Sequence, residues 1–369
     1  MRHPKRGAAP CLSRTQAARG DAAVAGTAGG YRLSAMSTTP LDEVLPRQPP
    51  LPQFDVRLSP PDLAAWRAGN SGVPGFTTRA GAVAGPHLVL VALLHGNELA
   101  GAIVLDRLLR AGLRPVRGRI TFGFANLAAF DRFDPTQPTA SRFLDEDMNR
   151  LWEPAVLDGP RRSIELDRAR ALRPLIDTAD VLLDLHSMLW TSEPLLLCGA
   201  TAKGRHLAQA IGQPALVVAD AGHVSGRRLI DYGHFADPAA AATAVLTEAG
   251  QHWDPPTVTM TLASVAGVLR HLGMVDEHPA LPPAPPPCRP RFAEVTRVVT
   301  AATAAFNFVR PFRGGDVIAA GGTLLATDGD EEIRTPHDDC LLIMPSLRPS
   351  RGHTAVRLAR LAEGYSSAT

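Results

Sequence analysis

From residue 53 to residue 278, short unbroken apolar runs alternate with longer stretches whose apolar residues recur every three or four positions. The unbroken runs at 87–94, 120–124, 181–185, 195–198, 216–219 and 244–247 predict strands covered on both faces. The stretches at 98–111, 165–179, 205–211 and 258–272 predict amphipathic helices. Strands alternating with helices indicate an α/β fold with a mainly parallel, helix-covered sheet. Sites in such folds lie at the C-terminal ends of the strands.

The texture changes at both ends. Residues 279–290 hold seven prolines in twelve positions and read as a stiff linker. Beyond it, 294–299, 306–309, 316–320 and 340–344 read as short strands, with turns at Gly314–Gly315, Gly321–Gly322 and 328–330. This predicts a small all-β domain over 291–350 after a larger α/β domain over 53–278. A frayed tail is expected over 351–369. Residues 1–50 lack apolar periodicity and read as disordered. Their Arg-rich, acid-poor composition has a faint likeness to an organelle transit peptide; the favoured reading is a mis-assigned start, with Met36 opening the true chain.

Composition narrows the function. The 369 residues are 45% hydrophobic and 20% charged, which suits a globular protein. No run of eighteen apolar residues occurs, so no membrane-spanning helix is expected. Aromatic residues make up only 5% and do not interleave a basic stripe, which argues against nucleic-acid binding. The net charge of +2 is carried by the first 35 residues, leaving the remainder mildly acidic. Four scattered cysteines, with no CxxC pair, fit a reducing cytoplasm and neither a disulfide framework nor a thiolate zinc site.

The chemistry concentrates in three segments. In Leu93-Leu94-His95-Gly96-Asn97-Glu98 an apolar strand runs into a polar turn that opens a helix. Imidazole and carboxylate three residues apart suit a catalytic zinc, which needs a third protein ligand and a position left for water. His186, at the end of another buried strand, is the candidate third ligand, and Asp184 two residues earlier points to the same side and could orient it. The plainer alternative is that His95 and Glu98 cap a helix start and His186 is a hydrogen-bonded sheet-end residue. The second segment, 142–150 (RFLDEDMNR), crowds guanidinium, carboxylate and amide groups together. Arg142 suits a polarised carbonyl, and Asn149 with Arg150 suits a substrate carboxylate. In the third, Glu248 ends an apolar run before Ala249-Gly250 and suits a general base.

Taken together and in this order, HGNE, RFLDEDMNR, LDLHS and TEAG resemble the succinylglutamate desuccinylase/aspartoacylase family of the zinc carboxypeptidase-like superfamily. The resemblance covers about residues 85–345. It implies a mixed sheet covered by helices plus a C-terminal half-barrel-like β region. It also implies one zinc per chain on His95, Glu98 and His186, Glu248 as base or proton shuttle, Arg142 on the scissile carbonyl, and Asn149 with Arg150 on the substrate carboxylate. The implied reaction is hydrolysis of a small N-acylated amino acid or similar amide.

One departure bears on specificity. Family members resembling aspartoacylase carry an arginine shortly before the catalytic glutamate, whereas residues 237–244 here contain no basic residue. Arg227 and Arg228 lie further upstream and are candidate substitutes, and Met188, Leu189 and Trp190 suggest an apolar wall. No lysine follows Lys203, so the β region cannot act as a swinging carrier arm and is left with a lid or homo-oligomer contact role. His223, His234, His252 and His337 are placed outside the metal set. A metallocarboxypeptidase acting on short peptides and a catalytically silent metal-binding scaffold are the competing readings. Serine-hydrolase and nucleotide motifs are absent.

Overall fold

An eleven-stranded mixed sheet organises the computed structural model, which describes residues 52–362 apart from 224, 287 and 288. The expectations for residues 1–50 lie outside the described residues. In chain order the strands are β1 (Phe76–Ala80), β2 (Val83–Ala92), β3 (Arg117–Phe124), β4 (Val181–Met188), β5 (Leu195–Leu197), β6 (Leu216–Ala219) and β7 (Thr243–Gln251). They continue with β8 (Arg291–Thr300), β9 (Phe306–Phe308), β10 (Val317–Ile318), β11 (Leu324–Asp328), β12 (Glu331–Arg334), β13 (Cys340–Ile343) and β14 (Thr354–Leu361). The large sheet runs β1-β3-β2-β4-β7-β5-β6-β8-β14-β13-β10, and β12-β11-β9 form a separate small sheet.

Helices α1 (Leu99–Arg110), α4 (Ile164–Ile176), α5 (Ala202–Ile211) and α6 (Pro255–His271) cover the sheet, while α2 (Leu127–Phe130) and α3 (Pro154–Leu157) are single turns. The run that predicted β2 is apolar at every position because both of its faces are buried. Leu88 and Leu90 enter one core with residues of α1 and α6, and Val89 and Val91 enter the other with residues of α4. Parallel pairing of β3, β2, β4 and β7 aligns their C-terminal ends on one edge, where the site is found.

The C-terminal region is physically continuous with this sheet. β8 pairs in parallel with β6, and β14, β13 and β10 extend the edge antiparallel. A third core between this extension and the small sheet holds Phe306, Phe312, Leu325, Leu342, Val356 and Leu358. The expectation of a frayed tail over 351–369 does not hold for residues 354–361, and 363–369 lie outside the described residues. Residues 354–361 form β14, between β8 and β13, and Ala355 through Ala359 are all buried. A basic residue, Arg357, interrupts the apolar run there, and that interruption hid the strand. Among the described residues no helix is long and apolar enough to cross a membrane.

Candidate active site

Beyond β2 the chain turns through Leu93, a fully buried residue at φ +60°. An L-residue in that region costs about 1–3 kcal/mol and is commonly found where a site depends on the bend. Here the Leu93 carbonyl accepts a hydrogen bond from the Asn126 amide at 2.8 Å. Gly96 passes so close to Ala129, Phe130 and Ser141 that an added Cβ would overlap their backbone atoms. Its amide donates to the Arg142 carbonyl at 3.0 Å, which ties the first motif to the second.

The turn brings the expected ligands together. His95 Nδ1 lies 2.7 Å from Glu98 Oε1, and His186 Nδ1 lies 3.1 Å from Glu98 Oε2. One potential ligand atom from each residue falls within 4.8 Å of the others, and all three residues are buried. Glu98 stands at the start of α1 without capping it. Its Oε2 instead accepts the Ser187 amide at 2.9 Å. The sequence alternative of a capping carboxylate and an unrelated histidine is therefore not what the chain builds.

Each imidazole has a carboxylate on its far side. Asp147 Oδ1 accepts from His95 Nε2 at 2.9 Å, and Asp184 Oδ2 lies 2.9 Å from His186 Nε2. A carboxylate hydrogen-bonded to the far nitrogen fixes the ring orientation and makes the inner nitrogen a better donor to a metal; Asp147 does so for His95, while Asp184 stands at ion-pair distance from His186 without a hydrogen bond. Asp184 was legible from spacing; the role of Asp147 was not. Burial opposes charge on His186, yet Asp184 and Glu98 raise its proton affinity well above that of an ordinary histidine. Burial likewise disfavours ionised Glu98, and His95 and His186 outweigh it, holding the carboxyl well below its usual range. Negative groups that attract a proton to this point also attract a divalent cation.

Glu248 pairs in register with His186 across β4 and β7, so its side chain stands beside the ligand cluster. Its Oε2 is buried without a hydrogen-bond partner. Burial, reinforced by Glu98, pushes its carboxyl up to about 8, against the pull of His186 and Arg142. A carboxyl titrating near neutrality can both take and return a proton. Arg142 donates to Glu98 Oε1 at 3.1 Å and to Asp147 Oδ2 at 3.3 Å, at the edge of the cluster.

The loop carrying Arg142, Asp147, Asn149 and Arg150 is organised by a residue that the sequence reading missed. Glu165, fully buried in the first turn of α4, accepts from the amides of Leu144, Asp145 and Glu146 at 2.7, 3.0 and 3.3 Å and from Asn126 Nδ2 at 3.0 Å. Asn149 accepts from the Leu229 amide at 2.8 Å and turns its Nδ2 toward His186 Nε2 at 3.4 Å. Arg150 donates to the Asn149 carbonyl, and the nearest carboxylate to it, Asp147, is 3.9 Å away.

His95, Glu98, His186 and Glu248, with Arg142, Asp147, Asn149 and Arg150 of the loop, line one cavity of about 750 Å³. Met188, Leu189 and Trp190 form part of its wall, as the sequence suggested, and Trp190 also packs edge-on against Phe54. Of the two candidate substitute arginines, Arg228 lines the cavity, whereas Arg227 turns to Glu153. His223 and His252 line the cavity too; His234 packs on Phe235, and His337 is exposed beside Thr296. Ser187 Oγ lies 2.8 Å from His252 Nδ1. Residues 344–357 contribute a wall from the C-terminal region that sequence reading did not place at the site.

Residues 84–272, just over half of the chain, match the family described as the Succinylglutamate desuccinylase/Aspartoacylase catalytic domain. The chain belongs to this family. It is 24% identical over 307 residues to the succinylglutamate desuccinylase of Burkholderia cenocepacia, across 76% of this chain and 83% of that protein. Among solved structures, the succinylglutamate desuccinylase of Vibrio cholerae shares the fold with a TM-score of 0.60 at 20% identity, over 79% of this chain and 88% of the other. The product-bound ectoine utilization protein EutE (DoeB) of Ruegeria pomeroyi does so with a TM-score of 0.53 at 19% identity, over 86% and 99%. The family read from four short motifs is thus the family the whole catalytic region matches.

Proposed function

We propose that this protein is a zinc-dependent deacylase that hydrolyses the amide bond of a small N-acylated amino acid or related compound. The observation that carries the reading is the convergence of His95, Glu98 and His186, with Glu248, whose Oε2 is buried without a hydrogen-bond partner, in register beside them. Two imidazole nitrogens and one carboxylate form a donor set that suits zinc and leaves a position for water or substrate. Zinc bound there would supply Lewis acidity toward a carbonyl and make water more acidic.

The protein groups supply the rest. Glu248 is placed to accept a proton from the attacking water and to return it to the departing nitrogen. Arg142 adds positive charge where the carbonyl oxygen becomes negative. Asp147 and Asp184 hold the imidazoles in the ligating orientation. The wall formed by 344–357 supports a small substrate over a peptide, since it lies across the same cavity. The succinylglutamate desuccinylase relatives support acyl-amide hydrolysis as the reaction class.

Elemental analysis should find one zinc per chain, and removing it with a chelator should abolish hydrolysis of N-acetyl and N-succinyl amino acids. Glu248→Ala should keep its zinc and lose about 10²–10⁴ in kcat. A variant that stays fully active would refute the role of Glu248. Tight zinc binding with no hydrolysis across the panel would favour the silent scaffold instead.

A further inference from the structure

The deacylase chemistry gives no role to a buried pair at the border of the metal group. Ser187 and His252 are both buried yet line the cavity, and Ser187 Oγ lies 2.8 Å from His252 Nδ1. That pairing fixes the tautomer. Among the described residues Nδ1 is the only acceptor that the Ser187 hydroxyl meets, and a buried hydroxyl proton needs one. The hydroxyl therefore donates to Nδ1, and the ring hydrogen stands on Nε2. Burial pushes the pKa of His252 down to about 3, so the ring stays neutral. Its Nε2 meets no acceptor among the described residues and is not sealed by packing. A neutral N–H donor is thus open to the cavity.

The surroundings of this donor are apolar and fixed. The His252 amide donates to the Met188 carbonyl at 2.9 Å. The His252 ring packs on Trp253, Trp253 on Phe54 and Phe54 on Trp190, with centroids 5.2, 5.4 and 5.6 Å apart. Met188, Leu189 and Trp190 form the adjoining cavity wall. The charges that act on His252 are those of Glu98, Arg142, His95 and His186, whereas Arg357 is among those that act on Glu248. Glu248 also stands in register with Leu195 of β5. The departing nitrogen, which takes its proton from Glu248, therefore lies toward β5 and Arg357. The acyl side of the amide is left to the His252 wall.

We infer that His252 Nε2 donates a hydrogen bond to an oxygen of the substrate's acyl chain, and that this chain is uncharged and otherwise apolar. The inference rests on the deacylase reading and adds to it which acyl chains the enzyme accepts. Arg142, the arginine that acts on His252, is already engaged by Glu98 and Asp147. A carboxylate on the acyl chain would find one neutral N–H there and no charged partner, which makes its burial costly. An ether, ketone or carboxamide oxygen needs only the donor. Ser187 is a positioning residue, since it acts through the ring.

The test compares kcat/KM for N-acyl amino acids in matched pairs, methoxyacetyl against butanoyl and β-methoxypropionyl against pentanoyl, in which an ether oxygen replaces a methylene. An ether accepts but cannot donate, so it reads an N–H alone. The ratio within a pair does not depend on how much of a preparation is folded. His252→Phe keeps an aromatic ring and loses the donor; it should lower the ether-to-alkyl ratio of at least one pair about 3- to 10-fold, as for loss of one neutral hydrogen bond. His252→Gln returns an N–H near the position of Nε2 and should restore most of the ratio. Ser187→Ala frees the tautomer and should fall between; it also serves if the Phe variant does not fold. Unchanged ratios in both pairs for the folded variants would overturn the subsite. So would faster cleavage of an N-succinyl substrate than of its uncharged N-succinamoyl counterpart. Calorimetric titration of the same pairs into wild type, Glu248→Ala and Glu248→Ala/His252→Phe separates the two readings. His252-dependent ether binding in a wild-type protein that hydrolyses nothing would sink the deacylase and keep the subsite, whereas hydrolysis with unchanged ratios would do the reverse.

Discussion

The two ends of the cavity solve opposite electrostatic problems. At the β2–β4–β7 edge, the carboxylates of Glu98, Asp147 and Asp184 crowd around His95 and His186, a group that could hold a metal ion. At the β14 side, buried Arg228 and Arg357 share Asp220, Arg228 also pairs with Asp231, and Arg150 lies 3.9 Å from Asp147. Burying unpaired charge costs several kcal/mol per ion unless a partner arrives. The first end is rich in carboxylates and the second in guanidiniums.

That contrast can be broken from either side. The largest stability effect is expected from Asp220→Ala. It leaves Arg228 and Arg357 facing each other in a buried site, and losing one partner of such a cluster costs about 3–5 kcal/mol. Denaturant unfolding should show this loss, while zinc content stays near one per chain in whatever protein folds. Burial pushes the Asp220 carboxyl up, but Arg228 and Arg357 outweigh it and lower it from its usual value. Its contribution is therefore fully present above the ordinary carboxylate range and is lost as the pH falls through the depressed folded value. Asp220→Asn should lack this part of the acid sensitivity.

Gly96→Ala comes next. Its Cβ would overlap the backbone of Ala129 and Phe130, where nothing flexible can yield. Overpacking of this kind costs about 1–3 kcal/mol, and because the turn carries His95 and Glu98, zinc affinity should fall with stability. A variant with wild-type melting temperature and zinc affinity would show that the turn tolerates a shift and is not the rigid element described above.

Asp184→Asn acts on the metal end alone, whereas Asp147→Asn also removes the carboxylate nearest Arg150. Loss of a carboxylate behind a ligating imidazole weakens metal binding or activity by about 10- to 100-fold. Competition with a zinc chelator should register the change in both variants, with the preference for an N-acyl amino acid over its carboxamide preserved in Asp184→Asn. Should the preference change as much as the zinc affinity, the two ends would not be independent.

The same division governs what could be read from the sequence. The metal end was legible because its residues sit where strand turns into helix: an unbroken apolar run, then His95-Gly96-Asn97-Glu98, and again a run ending at His186. Asp184 followed from strand alternation. Glu165 was not legible, since a glutamate in a first helical turn looks like an ordinary helix-start residue and only tertiary contact makes it the anchor of 144–146. Arg357 was hidden for a related reason. A single charged residue in a short apolar run near the chain's end reads as the end of structure, yet its counter-charge, Asp220, lies 137 positions away. Long-range pairing of buried charges leaves no local periodicity. The fold of the α/β part and its four motifs were thus open to local reading, as were Arg150 and Arg228 of the arginine cluster, whereas Arg357 and its partner Asp220 were not.

The smallest expected effect probes the wall between the two ends. Ser187 follows the ligand His186; its amide holds Glu98, and its hydroxyl meets His252 Nδ1 at 2.8 Å. Ser187→Ala keeps the amide bond to Glu98 and removes only the hydroxyl, so the change should resemble loss of a single neutral hydrogen bond, about 0.5–1.5 kcal/mol. Zinc affinity should stay within about threefold of wild type, since less than 1 kcal/mol of ligand orientation is at stake. The His252 ring, packed against Trp253 at 5.2 Å between centroids, should keep its place. A large drop in zinc affinity would mean that the Ser187 hydroxyl, and with it His252, belongs to the metal end as firmly as Asp184 does.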